Sequence, residues 1–372
     1  MPRQIRKKRA ALTPRARSSQ QPVSLKELAR KLNLSPTTLS LVLNNSAGAG
    51  SIPQETKERI FAAARGWNYR PNFVARSLRS QRTFSVGVLV PELSDGYAAL
   101  VLGGIEDYLL QAGYIYLVTS HRHRQKLIDE HPRLLYERCV EGLIAVDTPY
   151  AQKLPIPVIS VSGHKKVPGV TNIILNHDLA AELALCHLLK LGHKSIAFLK
   201  GQVFSSDTKV RWDAIRKSAS KLGVTISPAL VSQMEGDSPS PEVGYVAARR
   251  LLQSGLPFTA LFSFNDISAI GAIRAFRETG MQVPQDISVV GFDDIYQAAY
   301  HIPALTTIRQ PLVRMGMLAA ETLVRRIHDG SATAAPACLK LDPELIVRES
   351  TASAQPLPHA KPPNTSAAGK LV

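Results

Sequence analysis

Apolar residues recur at helical spacing in three short runs near the amino end of the chain, and then the pattern changes. Leu25, Leu28, Ala29 and Leu32 make the first run, led by Ser24-Leu25-Lys26-Glu27, in which Ser24 and Glu27 are placed to form a capping box. Leu39, Val42 and Leu43 make the second. Its helix opens on Ser35, a good N-cap, and on Pro36 at the first helical position, where a missing N–H costs nothing. Only Asn33 and Leu34 separate the two runs, so the turn is tight. Thr37, Ser40, Leu41 and Asn44 share the opposite, mostly polar face of the second helix. A loop of small residues, Ser46 to Ser51, leads to a third helix from Pro53 to about Arg65, with Ile60, Phe61 and Ala64 directed inward. Two short amphipathic helices across a tight turn describe a helix-turn-helix, whose second helix enters the DNA major groove, and equally an αα-hairpin of any globular protein.

From Phe84 the period changes. Short apolar runs at Phe84–Val90, Ile115–Val118, Leu143–Val146, Val158–Val161, Ile196–Leu199, Ala260–Phe264 and Ile287–Phe292 read as buried strands. They alternate with helical patterns at Tyr97–Gln111, Lys126–Cys139, Asp178–Leu191, Thr208–Leu222, Glu242–Gln253, Ile267–Thr279 and Leu312–His328. This alternation implies an α/β fold of parallel sheets with helices on both faces. A segment of about 265 residues is long for one sheet domain, so two lobes are expected. The strand carboxyl ends facing the crevice between lobes are where such sheets bind ligands.

Charge separates the same two regions. Residues 1–82 hold 17 Lys+Arg and 3 Asp+Glu, a net of +14, whereas the chain total of 45 against 29 leaves only +2 for the rest. A partner that needs phosphate neutralised would meet the amino-terminal part. The stretch from Arg3 to Arg17 reads as a solvated basic arm that adds non-specific affinity.

Three groups of residues carry a resemblance. They are Val23-Ser-Leu-Lys-Glu-Leu-Ala29, Leu34-Ser-Pro-Thr-Thr-Leu-Ser-Leu-Val-Leu-Asn44 and Tyr69-Arg-Pro-Asn-Phe-Val-Ala-Arg-Ser-Leu78. In this order and spacing they resemble the LacI/GalR family of bacterial transcription regulators. The resemblance continues through Val86-Gly-Val-Leu-Val-Pro91, Leu191-Gly-His193, Asn265-Asp266, Val290-Gly-Phe-Asp-Asp294 and Pro303-Ala-Leu-Thr-Thr307, covering about Val23 to Glu349. It implies a helix-turn-helix domain over 23–70, a hinge helix and linker over 71–83, and a two-lobed periplasmic-binding-protein-like domain over 84–350. Residues 1–22 and 351–372 are then tails, the second rich in Ala, Pro and Ser and expected to be disordered.

The same resemblance assigns residues. DNA contacts fall on Ser24, Ser35, Pro36, Thr37, Thr38, Ser40, Leu41, Asn44 and Tyr69, and on the hinge residues Asn72, Ala75, Arg76, Leu78 and Arg79. Leu78 stands where the family wedges an apolar side chain into the minor groove, an unstacking that costs a few kcal/mol and is offset by the contacts the bend brings. Leu41 departs from the family, many of whose members carry Arg there. Arg can pair bidentately with guanine, while Leu makes only apolar contact, for instance with a thymine methyl. Effector contacts fall on Asp95, Tyr97, Ser162, Asn176, Arg211, Asn265 and Asp293. Ser94-Asp95-Gly96-Tyr97-Ala98 replaces the usual Ser-Asn-Pro-Phe-Phe, Ser162 replaces a common Asp, and Asn176-His177 replaces Asp-Asn. These departures speak against a standard hexose. Asp266 reads equally as a helix cap and as a ligand contact, and Asp294 is similarly ambiguous.

Little points to catalysis. His121, His123 and His131 fit no metal-ligand spacing, and neither a Gly-rich phosphate loop nor a nucleophile elbow is present in the sequence. Leu191-Gly192-His193 reads as a helix end. Cys139, Cys186 and Cys338 are sparse and odd in number, as suits a reducing cytosol. The basic amino end is not followed by a signal-peptide core, and no run approaches membrane-spanning length. The expected protein is a cytoplasmic, nucleoid-associated homodimer without metal or cofactor, binding double-stranded operator DNA and regulated by a small molecule, a sugar or related metabolite. Repression is the expected sign, and a ligand-insensitive architectural DNA-binding protein is the alternative.

Overall fold

The computed structural model describes residues 23–44, 46–69, 77, 81–94, 96–238, 240–330 and 337–355. The described residues fall into two compact units that divide between Arg82 and Thr83.

The first unit packs α1 (Leu25–Leu32), α2 (Pro36–Leu43) and α3 (Gln54–Gly66) around Leu28, Ala29, Leu39, Val42 and Ile60. The capping box at Ser24 is formed in both directions, with the Ser24 N–H donating to Glu27 Oε2 at 2.8 Å and the Glu27 N–H donating to Ser24 Oγ at 3.2 Å. Asn33 closes α1 in the left-handed region, φ 55°, and so turns the chain tightly into Ser35. Inside α3 the inward set differs from the expected one. Ile60 is fully buried, but Phe61 is 40% exposed, because the core is small enough to be closed by Ile60 and the half-buried Ala63 and Ala64. Lys31 lies over the Trp67 ring, 4.4 Å from its centroid, and ties the end of α1 to the end of α3.

The second unit holds two six-stranded sheets. The first contains β1 (Ser85–Val90), β2 (Ile115–Ser120), β3 (Gly142–Val146), β4 (Val158–Val161), β5 (Val170–Leu175) and β11 (Cys338–Leu341), in the order β11-β5-β4-β3-β1-β2, all parallel. The second contains β6 (Ile196–Lys200), β7 (Val231–Gln233), β8 (Ala260–Phe262), β9 (Ser288–Asp293), β10 (Thr306–Arg309) and β12 (Glu344–Ile346), in the order β12-β10-β9-β8-β6-β7. Only the edge pair of β12 with β10 is antiparallel among the pairings of the described residues. The central strands β1, β3, β4 and β9 are buried at every residue, which is why they read as unbroken apolar runs. The strands with no such run, β5, β7, β10, β11 and β12, carry polar residues or lie at edges.

Helices α4 (Gly96–Gln111), α5 (Gln125–Glu137) and α11 (Leu312–Asp329) cover the first sheet. Helices α6 (His177–Lys190), α7 (Ser206–Lys221), α8 (Glu242–Gln253) and α9 (Asp266–Glu278) cover the second, with a short α10 (Tyr296–Tyr300) after β9. In each lobe one pair of helices meets backbone to backbone through reciprocal glycines. A Cβ on Gly104 would sit 1.9 Å from the Val313 carbonyl oxygen and one on Gly316 would sit 2.1 Å from that of Val101, so α4 and α11 have no room for a side chain. Gly244 and Gly271 bring α8 and α9 together in the same way. Among the described residues the chain crosses between lobes at Asn176, at Gln310-Pro311 and at Asp342-Pro343. The first and third crossings are joined by an Asn176 Nδ2 bond to Asp342 Oδ1 of 2.8 Å.

Gly316→Ala should therefore lower stability by about 2–4 kcal/mol, because the helices must part. Gly103→Ala, one position from Gly104 but facing open space, should change it by under ~1 kcal/mol and in the favourable direction. Chemical denaturation of both variants separates the two, and equal effects would contradict the close-packed helix pair.

Candidate functional site

Two places concentrate groups that nothing in a bare scaffold requires. The first is the outer face of α2. Ser35 and Thr38 are engaged with each other, Ser35 Oγ lying 3.0 Å from the Thr38 N–H it accepts and 2.8 Å from Thr38 Oγ1. Pro36 and Thr37 are exposed at the start of the helix. Asn44 is held back along the helix by Nδ2 donating to the Ser40 carbonyl at 2.8 Å and to Ser40 Oγ at 3.2 Å. Leu41 is half-buried, with Cδ2 3.2 Å from where a Cβ on Gly48 would be, so it rests on the Ala47–Ser51 turn. Ser24 is committed to its capping box and Tyr69 packs against the unit's core. Asn72, Ala75, Arg76, Leu78 and Arg79, and the effector candidate Asp95, lie outside the described residues.

The second place is the cleft between the lobes, at the carboxyl ends of the strands. Non-glycine residues with left-handed backbone collect there: Asp147 after β3 (φ 37°), Ser162 (57°) and His164 (52°) after β4, and Asp293 (110°) and Asp294 (58°) at the end of β9. Each such residue stores of order 1–3 kcal/mol, which the surrounding contacts must hold. Asp147, from the first lobe, accepts from the backbone N–H of Ser206 at 3.1 Å and from Ser206 Oγ at 2.5 Å, while Ser205 Oγ lies 3.4 Å from its other oxygen. It thus caps α7 across the lobes, in the place where Ser205 makes no side-chain cap bond of its own. The Ser206 hydroxyl also reaches the Ser162 carbonyl oxygen.

Next to this cap lies a buried charged network. Asp207 Oδ1 accepts from His164 Nε2 at 2.5 Å, and Asp207 Oδ2 accepts from Arg211 Nη2 at 2.9 Å. His177, at the start of α6, is 5% exposed, and its Nε2 is 3.4 Å from Asp207 Oδ1 without hydrogen-bond geometry. Arg211 also donates to the Phe264 carbonyl and lies 3.6 Å above the Phe292 ring centroid. Burial alone would raise the Asp207 carboxyl. The His164 and His177 imidazoles and the Arg211 guanidinium outweigh it and hold the group well below the carboxylate range. Burial pushes the His177 imidazole down, towards the neutral form.

Tyr97 and Ser162 belong to the same network, the Tyr97 hydroxyl donating to Ser162 Oγ at 2.9 Å, with burial raising the phenol well above 10. Asp293 accepts from Gln310 Nε2 at 2.6 Å in the second crossing. Asn176 caps α6 and braces Asp342. Asn265 caps α9 through a 2.9 Å bond from the Ser268 N–H and also lines the cleft cavity. That cavity, of about 70 Å³, has Glu92, Asp147, Asp237 and His123 as its titratable lining, and the His123 ring lies against Phe204 of the opposite lobe, tilted by 31° at 3.8 Å between centroids. Arg211 thus meets Asp207, Tyr97 meets Ser162 and Asp293 meets Gln310, and none of the four lines the open space. The sequence reading missed Asp147, His164, Ser206 and Asp207. The one local signal was Asp207 four residues before Arg211, the spacing of a helical ion pair.

The two ambiguous acids are structural here. Asp266 is fully buried and accepts from Thr307 Oγ1 at 2.6 Å and from the Ile295 N–H at 3.0 Å, while Asp294 receives Arg309 and Arg348.

The comparisons with known proteins decide what these two places belong to. Residues 24–72 match the model of bacterial regulatory proteins of the lacI family, and residues 185–351 match that of the periplasmic binding protein-like domain. The HTH-type transcriptional repressor PurR of Haemophilus influenzae is 32% identical over 342 residues, covering 89% of this chain and 99% of the relative. The chain belongs to the lacI family of bacterial regulatory proteins. PurR of Pasteurella multocida is likewise 32% identical over 342 residues. The crystal structure of the lac repressor dimer bound to operator and the anti-inducer ONPF superimposes with a TM-score of 0.78 at 27% identity, covering 89% of this chain and all of that one. The transcriptional regulator CelR in complex with cellobiose superimposes with a TM-score of 0.65 at 25% identity, over 88% of this chain. As a LacI-family member the chain is a DNA-binding transcription regulator and not an enzyme.

Asp266 gives this unit a pH signature. Burial raises its carboxyl from 3.8 to about 7, so the protonated form is the one the folded chain favours. That contribution is fully present below the unfolded pKa and is lost as pH rises through about 7. The stability difference between wild type and Asp266→Asn should shift against the wild type between roughly pH 4 and 7 and then level off. Thermal melts across that range read it, and a difference independent of pH would refute the raised pKa.

Proposed function

We propose that the protein is an operator-specific repressor that binds DNA as a homodimer and is regulated by a small molecule held in the interlobe cleft, acting on chromosomal DNA in the cytoplasm. The observation that carries this reading is the outer face of α2, mostly polar, with Thr37 and Asn44 exposed and Ser40 and Leu41 half-buried, in the part of the chain that holds nearly all of the net charge. Thr37, Ser40, Leu41 and Asn44 supply the groove face. Ser35, Pro36 and Thr38 fix the helix start against the backbone, where Ser24 fixes α1. Tyr69 serves the helix-turn-helix domain, and Asn72, Ala75, Arg76, Leu78 and Arg79 serve the hinge, with Leu78 as the minor-groove wedge. Two copies related by a two-fold axis would read successive half-sites of a pseudo-palindrome.

Asp95, Tyr97, Ser162, Asn176, Arg211, Asn265 and Asp293 are proposed to face or brace the effector. The bound operator, anti-inducer and cellobiose of the neighbouring structures support a sugar or related metabolite as ligand class. A cavity of about 70 Å³ is too small for such a ligand, since pockets that enclose one run to several hundred Å³. On this reading, effector entry widens the cavity at Asp147 and Ser205, which line it from opposite lobes. Closure of the cavity by the protein's own side chains is also what favours the second reading, a DNA-binding protein that responds to no ligand.

Selection of binding sites from random DNA should enrich one palindromic sequence. Affinity should fall steeply with salt, by about 0.9 in log–log slope for each phosphate neutralised. Leu41→Arg should move the selected base towards guanine at one position of each half-site. Binding to the winning site with and without a metabolite panel separates the two readings, and failure to enrich any sequence would overturn operator-specific repression and leave the architectural reading.

A further inference from the structure

We infer that His164, His177 and Asp207 form a binding site for one divalent transition-metal ion, of the Zn²⁺ class, that clamps the two lobes together. Among the described residues these three bring His Nε2 or Nδ1 and carboxylate oxygens within 4.8 Å of one another. They come from three separate elements: the loop after β4 in the first lobe, the start of α6 at the first crossing, and the first turn of α7 in the second lobe. His177 carries the inference. It is 5% exposed, neither ring nitrogen has a hydrogen-bond partner, and its Nε2 stands 3.4 Å from Asp207 Oδ1. A buried imidazole whose Nδ1 has no partner and whose Nε2 meets a carboxylate oxygen only at ion-pair distance is a costly arrangement in a scaffold.

The geometry fits a tetrahedral ion. With bonds of 2.0–2.1 Å, neighbouring ligand atoms stand about 3.3 Å apart, close to the His177–Asp207 separation. His164 and Asp207 Oδ1, now 2.5 Å apart, would part by roughly 0.8 Å as the ion replaces their shared proton. Two imidazoles and one carboxylate are a borderline donor set that selects Zn²⁺, Co²⁺ or Ni²⁺ over Mg²⁺ or Ca²⁺. Arg211, on Asp207 Oδ2, leaves Oδ1 free for the metal and orients the carboxylate from outside. The fourth position goes to a water or to a donor atom of the effector. An ion held here ties the first lobe to the second beside the Asp147–Ser206 cap, and so favours closure. Its effect on DNA binding rests on the regulator reading above, whereas metal uptake does not.

The test is titration of chelator-stripped, full-length protein with Zn²⁺ against a chromophoric chelator, repeated with Co²⁺ as a spectroscopic probe. The expected result is one equivalent per chain and Co²⁺ absorption bands of a four- or five-coordinate site without thiolate charge transfer. His164→Gln and His177→Gln should each weaken uptake on the order of 100-fold or more, since even outer-shell losses cost 10–100-fold. A Cys139→Ser/Cys338→Ser variant should keep it, because those exposed thiols are not part of the site. No stoichiometric uptake, uptake surviving both histidine variants, or uptake lost with the cysteines would each overturn the site. Operator affinity measured with and without Zn²⁺ then reads the clamp. Operator binding that Zn²⁺ leaves unchanged in a metal-loaded protein overturns the regulatory effect. Absence of operator binding under every condition removes the regulator reading while leaving the metal site standing.

Discussion

The start of α7 is a helix end that its own lobe does not satisfy. Ser205 occupies the N-cap position without capping, and the Asp147 carboxylate of the other lobe accepts the Ser206 N–H in its stead. A helix N-terminus carries several unpaired donors and a partial positive charge, so a carboxylate placed against it is worth up to about 2 kcal/mol when partly buried. When the lobes separate, that carboxylate and those donors must both find water. The interlobe cap therefore makes closure the ground state for the α7 end of the cleft, and everything nearby is arranged on top of it: Asp207 one residue on, Arg211 one turn further, and the histidines that meet them. The strained backbone at Asp147, Ser162 and His164 is intelligible on the same terms. These residues are turned into unfavourable φ values so that their polar groups point across the gap, and the bonds made there hold them.

Much of this fold was legible in the chain because it rests on local patterns. The two caps at Ser24 and Ser35, the buried runs of β1, β3, β4 and β9 and the helices between them all announce themselves within a dozen residues. The strands that escaped detection lie at edges or carry polar residues inward, as Asn172 and Thr306 do, so hydrophobic periodicity had nothing to register. Phe61 failed for a related reason. A spacing that predicts a core face says nothing of how wide that face needs to be, and a three-helix unit closes around few side chains.

The cleft was less legible, since its geometry is made by residues far apart in sequence. His164 and Asp207 are separated by 43 positions and belong to different lobes. Tyr97, Ser162, Arg211 and Asp293 were singled out from the family pattern, but that pattern does not say whether such groups face a cavity or one another. Here Tyr97 and Ser162 face one another, while Arg211 is taken up by Asp207 and Asp293 by Gln310. Of the substitutions that distinguish this chain, His177 beside Asn176 meets Asp207, and Ser162, standing for an acid, bonds Tyr97 and the Ser206 hydroxyl next to it.

The seat of Leu41 on Gly48 reaches into how such a protein can change its target. A residue that only touched DNA could be exchanged freely as operators drift. Leu41 also shields the turn that leads into α3, and the turn has a glycine where its side chain lies. A larger or charged residue at this position would have to leave that seat, exposing the turn it covered. New sequence preferences acquired there would thus arrive together with a loosened turn, and compensating changes would be expected first among the small residues from Ser46 to Ser51. Reading and folding share one side chain, and the two can diverge only in step.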